Sequence, residues 1–413
     1  MNYFRLLLIN CVLLLAAHAA QAQGKLTGVV QDSTTHEPLA FASVFLANTT
    51  LGVTTTESGK FEFPKVPAGT YDLVGSYVGY RLGKRSITVG PAAQEVKLEL
   101  ASTGNQLGEV VVQPAPNKPE DYQKFSELFI GQTTFSQQSH ISNADQVRVL
   151  MEDSTGELTA GAKEFVQIDN DALGYRLKYY GLQFAYNTND RSIAYYGQPV
   201  FEEMTPKDER QRQRWAANRL AAYRGSFMHF LRSVYTNRVK QEGFLTQQVH
   251  VMQNPRFERA DDQRHALLES RPTGDFSTAE KDSLRKWSRE VPAVATLNTA
   301  PMPIDSIRRV SDNGRRTYLR FTSELQVAYF GEAPDPNYKR PMSSLGNTRT
   351  PYPAKRQVSR VKLQGSEAEI QANGSLRNPL EAYNGEYWGF ERIGEFLPFD
   401  YVPTNPVAPV RPK

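Results

Sequence analysis

The chain has 413 residues, which is enough for two or three domains with cores of their own. A hydrophobic content of 39%, with 11% aromatic residues, excludes a disordered protein. The formal net charge of +4 at pH 7 excludes a chain that binds polyanions along its whole length. Twenty Tyr and twenty-one Phe favour strand-rich structure, since aromatic side chains suit half-buried pleated surfaces.

Residues 1–22 have the pattern of a cleaved secretory signal peptide. Arg5 precedes an apolar run over residues 6–17, and Ala20-Gln21-Ala22 supplies the small residues that signal peptidase accepts. The run is short for a bilayer span, which disfavours the alternative of a membrane anchor. Cys11, the only cysteine, lies in this segment, so we expect a mature protein without disulfides.

Residues 23–100 predict an all-β sandwich of about seven short strands. In Lys60-Phe-Glu-Phe63 apolar and charged residues alternate, as in a strand with one buried face. A strand is also expected over Ala40–Leu46, and Ser58-Gly59 and Pro67-Ala-Gly69 supply turns. Strands at short, regular spacing are typical of a sandwich.

The segment GVVQD…EPLAFASVFLANTTLGVTTTESGKFEFPKVPAGTYDLVGSYVGY resembles the carboxypeptidase-regulatory-like domain, a transthyretin-like β-sandwich found at the front of many secreted and outer-membrane proteins of the Bacteroidota. The resemblance implies an accessory module and a protein of the periplasm or outer membrane. It implies no peptidase, because that activity belongs to a separate zinc domain. The residues that fit the pattern are Gly28, Pro38, Gly59, Phe61, Pro67, Gly69, Tyr71, Gly79 and Tyr80.

Residues 101–120 predict a proline-rich linker. Within it, Leu107-Gly-Glu-Val-Val-Val-Gln-Pro-Ala-Pro116 is similar to a stretch that pairs with TonB as an added strand in TonB-dependent transporters. The alternative, which we favour, is a last strand or a linker stiffened by its prolines. The rest of the chain lacks the sustained alternating segments of a transporter barrel.

Residues 121–413 predict a larger β-rich α+β domain of unknown function. Short aromatic runs such as Tyr175–Tyr186 and Ser192–Phe201 indicate an antiparallel sheet. Asp169–Gly174 partly matches a calcium loop, but Leu173 occupies a ligand position, so we expect a turn. Further strands are expected at Phe244–Val251, 316–330, Val358–Gln364 and Glu367–Gln371, with a short helix at Thr278–Ser288.

One long basic amphipathic helix is predicted over Thr205–Lys240. Its sequence has nine Lys or Arg and two acids, a local net charge of +7. The helix could contact anionic lipid or an acidic partner, bind nucleic acid, or cover a sheet with its charged side in water. Export disfavours nucleic acid, and we favour the covering helix. If the basic flank binds instead, Arg210 and Arg214 are its candidate residues.

The C-terminal segment is rich in aromatic residues. Tyr387, Trp388 and Phe390 could form an exposed platform on which sugar rings stack, but they more simply seal the end of a sheet. An exposed position of the three rings would favour glycan binding.

The sequence predicts no catalytic, cofactor or metal site. No histidine has Glu three residues later, and nucleophile-elbow, Walker and Rossmann signatures are absent. Three functions remain open: an envelope adaptor that docks to an outer-membrane complex or surface polymer, a glycan-binding protein, and a carboxylate hydrolase whose pair we cannot name. We favour the adaptor, with an envelope protein or polysaccharide as partner and peripheral membrane contact as a further option.

Overall fold

A computed structural model of the protein describes residues 23–103, 117–290, 292–339 and 356–404. The predicted signal peptide 1–22 and the strand-like segment 107–116 lie outside the described residues. The described chain divides into two compact units. Unit 1 holds the residues up to Ala222 together with Arg392–Thr404, and unit 2 holds the described residues of Tyr223–Glu391. The predicted domain limits at residues 100 and 121 stay a prediction.

Unit 1 begins with the seven strands expected from the sequence. They form a three-stranded sheet, β4-β1-β7, and a four-stranded sheet, β3-β2-β5-β6. Phe61 and Phe63 are buried in β4 while Lys60 and Glu62 are exposed, as the alternation predicted. The strands are β1 Gln23–Asp32, β2 Ser43–Leu46, β3 Gly52–Thr54, β4 Lys60–Pro67, β5 Gly69–Ser76, β6 Gly83–Val89 and β7 Gln94–Leu100.

The strand expected over Ala40–Leu46 begins only at Ser43. Phe41 precedes it in a turn, with a φ of 59° and a side chain that is 65% exposed. Phe45 does not enter the sandwich core; its ring lies 4.8 Å from that of Tyr180, in the sheet that follows.

The second sheet of unit 1 is antiparallel, and its long strand β12 pairs with β10, β11 and β13. The first helix packs on it through Phe125 and Phe129, whose rings contact Phe184. The segment Asp169–Gly174 ends in a turn in which Gly174 N donates to Asn170 O, so the predicted turn is confirmed. The elements are α1 Pro119–Ile130, β8 Ser139–Ile141, β9 Val147–Glu152, β10 Glu157–Ala162, β11 Phe165–Asn170, β12 Tyr175–Asn187 and β13 Ile193–Glu203.

The single helix predicted over Thr205–Lys240 is wrong in its continuity. Helix α2 spans Glu209–Tyr223 and α3 spans Phe227–Tyr235. Helix α2 begins where Asp208 Oδ1 accepts a hydrogen bond from Gln211 N, later than expected. The break falls at Gly225, whose φ of 80° no right-handed helix contains, and Ser226 then caps α3 by accepting from His229 N.

Unit 2 contains a five-stranded sheet, β15-β14-β18-β19-β21, and a three-stranded sheet, β16-β17-β20. The apolar face of α3 enters its core through Phe230, Leu231 and Val234. The elements are β14 Phe244–Gln253, α4 Pro255–Ser270, α5 Thr278–Trp287, β15 Ala293–Pro301, α6 Ile304–Ile307, β16 Arg308–Val310, β17 Thr317–Arg320, β18 Glu324–Tyr329, β19 Gln357–Leu363, β20 Glu367–Ile370, β21 Ala382–Glu386 and α7 Tyr387–Phe390.

The structure confirms the strand-rich α+β fold and the short helix near Thr278. Helix α4 was missed, although Asn254 and Pro255 are typical of a helix start. None of the helices in the described part of the chain has the length and apolar composition of a membrane span.

Gly225→Ala should destabilise unit 2 for two reasons. The left-handed backbone disfavours any Cβ, and here a Cβ would lie 1.9 Å from Gln357 Oε1. Gly314→Ala is the matched control, because Gly314 has a φ of 69° but no atom within 4 Å of a new Cβ. Denaturant unfolding should show a cost of about 1 kcal/mol for the control and clearly more for Gly225→Ala. Equal costs would contradict the steric part of this account.

Candidate functional site

A cleft of about 260 Å³ lies in unit 1, where three segments far apart in the sequence meet. The first is the sandwich loop after β2, the second runs from β12 through the end of β13 to helix α2, and the third is the C-terminal segment. The lining residues are Thr50, Tyr175, Glu203, Ala216, Arg219, Pro398, Asp400, Tyr401, Val402 and Thr404.

Backbone hydrogen bonds of the sandwich loop join these segments. Asn48 N donates to Pro199 O at 2.6 Å, and Asn48 O accepts from Phe399 N at 2.7 Å. Thr49 O accepts from Phe201 N at 2.9 Å. Asn48 has a φ of 62°, a conformation that asparagine tolerates better than most residues. The loop is thereby held between β13 and the C-terminal segment.

Asp400 connects the C-terminal segment to the loop a second time. Its carboxylate accepts hydrogen bonds from the backbone N–H of Thr50, at 3.0 Å, and from the Thr50 hydroxyl. Hydrogen bonds to a charged acceptor are stronger than neutral ones. The carboxylate is therefore fixed in the cleft wall.

Arg219 of α2 also lines the cleft. Its Nε donates to Leu173 O at 2.7 Å, one Nη donates to Gly174 O at 3.1 Å, and the other Nη donates to Glu203 at 3.2 Å. The guanidinium lies over the Tyr175 ring, 3.9 Å from its centroid. These contacts hold the side chain in one position.

Tyr175 is 1% exposed, and burial raises the pKa of its phenol well above the ordinary value. Arg219 opposes that shift, whereas Glu203, Asp400 and Tyr401 add to it. All four of these residues line the cleft, so the phenol group faces it. Because the hydroxyl stays protonated at neutral pH, it is a hydrogen-bond donor.

The predicted basic residues lie elsewhere on α2. Arg210 and Arg214 are exposed, and neither forms an ion pair with another described residue. Arg232, another basic residue of the segment predicted as one helix, belongs to α3 and donates to Asn373 O. Whether the basic surface binds a partner stays a prediction. Helical periodicity did not single out Arg219, because its partners at residues 173–174 lie in the turn between β11 and β12 and not on the helix.

The C-terminal aromatic residues do not form the exposed platform considered from the sequence. Trp388 is 5% exposed, packs against Phe230 and donates from Nε1 to Gly225 O at 2.7 Å. Tyr387 is also buried, and its hydroxyl accepts from Asp335 N. Phe390 is half-buried. A ring in the core cannot stack on a sugar. Trp388 and Tyr387 therefore fit the alternative in which these residues seal the end of a sheet.

His229 is a buried histidine at the start of α3. Its Nδ1 accepts from Gly225 N at 3.1 Å, which assigns the proton of the neutral ring to Nε2, 3.5 Å from Glu242 Oε2. Burial lowers the pKa of His229 and outweighs the opposing effect of Glu242. The hydrogen bond from His229 lowers the pKa of Glu242. Both ring nitrogens have partners, so the ring positions the helix start.

Residues 26–112 match the family model of the CarboxypepD_reg-like domain. The carboxypeptidase-regulatory-like sandwich predicted from the sequence is therefore confirmed. No curated protein matches the chain.

Three solved structures show weak similarity. A 3-chlorocatechol 1,2-dioxygenase of Rhodococcus opacus is 15% identical, over 20% of this chain and 61% of its own, with a TM-score of 0.17. A candidate carbohydrate-binding protein of Bacteroides uniformis is 9% identical, over 44% and 99%, with a TM-score of 0.16. A candidate membrane-associated protein of unknown function from Bacteroides fragilis is 13% identical, over 85% and 94%, with a TM-score of 0.17. TM-scores this low carry no argument about fold or function.

Trp388→Ala should lower the free energy of unfolding by about 3–5 kcal/mol, because it removes a large core side chain. The indole hydrogen bond to Gly225 is lost as well. Trp287→Ala, at a half-buried position, is the matched control and should cost less. Denaturant unfolding compares the two variants. A Trp388→Ala variant as stable as the parent would restore the exposed platform as a hypothesis.

The free energy of unfolding should fall as the pH drops below 6.5, the ordinary pKa of histidine. The pKa of His229 is lower in the folded protein, so below this pH the unfolded chain binds a proton that the folded protein does not. Glu242 adds a second loss below 4.5, its ordinary value, because its carboxylate is also favoured by folding. His229→Asn should flatten the first loss in thermal unfolding measured against pH. His265→Asn, at an exposed site, should leave it unchanged, and an unaltered profile in both variants would contradict the role of His229.

Proposed function

We propose that this protein is a secreted adaptor of the cell envelope, whose CarboxypepD_reg-like sandwich docks to an outer-membrane complex or surface polymer. The signal-like pattern of residues 1–22 supports export to the periplasm or outer membrane. The observation that carries the docking role is a pair of exposed apolar side chains at one end of the sandwich. Phe41 is 65% exposed and Val78 is 78% exposed.

The register of the sandwich places these two residues at the same end. Ser43 pairs with Ser76 where β2 and β5 meet, and Phe41 and Val78 each lie two residues beyond that pair. Phe41 N donates to Thr55 O, and Ala42 N donates to the buried Thr55 hydroxyl. These bonds fix the turn that displays the phenyl ring.

The turn with Val78 is equally defined. Tyr80 N donates to Tyr77 O at 3.1 Å, the two tyrosine rings lie 5.4 Å apart, and Gly79 has a φ of 83°. A preformed surface loses little conformational entropy when it binds. The apolar pair therefore suits docking to an apolar part of a partner protein.

The backbone of Phe41 strengthens this argument. A left-handed conformation costs a bulky residue about 1–2 kcal/mol, and glycine adopts it freely. The ring gains no compensating burial, since most of it faces solvent. Observed strain at an exposed residue supports a functional role for that residue.

A photo-crosslinking residue at position 78 tests the docking role in intact cells of the host. We expect one stoichiometric envelope partner to be captured. The matched control is the same residue at Ala92, which is exposed near the opposite end of the sandwich. Capture of the same species from both positions, or from neither, would overturn the assignment.

Phe41→Gly separates folding from docking. The change relieves the strained backbone, so the free energy of unfolding should stay unchanged or rise by about 1 kcal/mol. Crosslinking from position 78 should be lost, because the apolar pair is gone. Thermal unfolding and the crosslinked yield are measured on the same preparations. A variant that is stable and still crosslinks normally would contradict the proposal.

A further inference from the structure

We propose that the cleft of unit 1 binds a neutral, hydroxyl-bearing ligand, namely one sugar residue of a glycan. The site is separate from the apolar pair of Phe41 and Val78, so it does not depend on the docking role of the sandwich. It also differs from the aromatic platform considered from the sequence, because Trp388 of that platform is buried in the core of unit 2.

The cleft offers fixed hydrogen-bond acceptors. Asp400 uses part of its accepting capacity on Thr50, and Glu203 uses part of its own on Arg219. A carboxylate has about four lone-pair positions, so both retain capacity for hydroxyl groups. Sugar hydroxyls are donors that such acceptors orient.

The cleft also offers fixed donors. The Tyr175 hydroxyl has no hydrogen bond to another described residue, although the side chain is 1% exposed. Its raised pKa keeps the proton in place for a ligand oxygen. Arg219 has five N–H donors, of which the contacts to Leu173, Gly174 and Glu203 use three.

An apolar surface lies beside these polar groups. Pro398, Tyr401 and Val402 line the cleft, and Val402 is 68% exposed. Aromatic and aliphatic side chains pack against the C–H faces of a sugar ring. Polar groups with an adjoining apolar wall match a pyranose, which has both kinds of surface.

The charges favour a neutral ligand. Glu203 and Arg219 pair with one another, while the carboxylate of Asp400 has no ion pair with another described residue. Phosphates and uronic acids are repelled by that charge, and a cation would meet the guanidinium of Arg219. The volume of about 260 Å³ is below the roughly 300–1,000 Å³ of pockets for drug-sized molecules. One monosaccharide unit is therefore the fitting size.

The experiment titrates the full mature chain with glucose, galactose, mannose and N-acetylglucosamine. Saturation-transfer NMR measures the binding of each sugar. We expect at least one sugar to bind. Tyr175→Phe should weaken that binding roughly fivefold, the loss of one neutral hydrogen bond. The stability of this variant should stay unchanged, because the hydroxyl has no hydrogen bond to another described residue that the change would remove.

Tyr318→Phe is the matched control. Its ring lies under Arg309 at 4.1 Å, as that of Tyr175 lies under Arg219, but Tyr318 does not line the cleft. Sugar binding that is equal in the parent and both variants would place the sugar elsewhere and overturn the proposal. The absence of binding across the sugar panel would overturn it too. Binding of methylammonium in place of any sugar would overturn the ligand class.

Discussion

The organisation of unit 1 depends on the backbone of three residues, 48–50, in the sandwich. Asn48 donates to Pro199 and accepts from Phe399, while Thr49 accepts from Phe201. Each of these bonds gives a backbone N–H or C=O group a protein partner in place of water. Together they fix three distant segments around one cleft. Asp400 strengthens the same junction, since a carboxylate that accepts from both the N–H and the hydroxyl of Thr50 leaves the C-terminal segment little freedom.

Unit 2 depends on a different constraint, the left-handed Gly225. The turn there ends α2 and directs α3 into the core, and its two backbone groups have specific partners. Gly225 N donates to His229 and Gly225 O accepts from Trp388. The buried histidine and the buried tryptophan are therefore parts of one arrangement. Their positions follow from satisfying the polar groups that the helix break exposes.

Patterns among neighbouring residues predicted the strands of the sandwich, because each strand depends on residues close together in the sequence. Alternating residues such as Phe61 and Phe63 predict a strand because one face of the sheet is buried, and the family match at residues 26–112 agrees. The residues of the cleft could not be found in this way. Thr50 and Asp400 are separated by 350 positions, and no periodicity relates them. In the sequence Arg219 resembles Arg210 and Arg214, which are basic residues of the same helix. Only the fold brings it to its partners Leu173 and Gly174, in the turn before β12. For Trp388 the sequence left two alternatives, because a cluster of aromatic residues has the same composition in a core as on a surface, and its burial agrees with the preferred one.

Three residues with a left-handed backbone differ in what explains that conformation. At Gly225 a Cβ would lie against both Gln357 Oε1 and the ring of Tyr329, so packing favours glycine there. At Asn48 the residue is of a type that tolerates the conformation, and hydrogen bonds on both sides of its backbone stabilise it. Phe41 has neither reason, since its ring is mostly exposed and glycine would adopt the turn with less strain. Folding alone thus explains the first two residues and leaves the third unexplained. An exposed phenyl ring at the same end of the sandwich as the exposed Val78 gains a physical rationale if another molecule covers it. For this reason we propose the sandwich end, and not the basic surface of α2, as the docking surface.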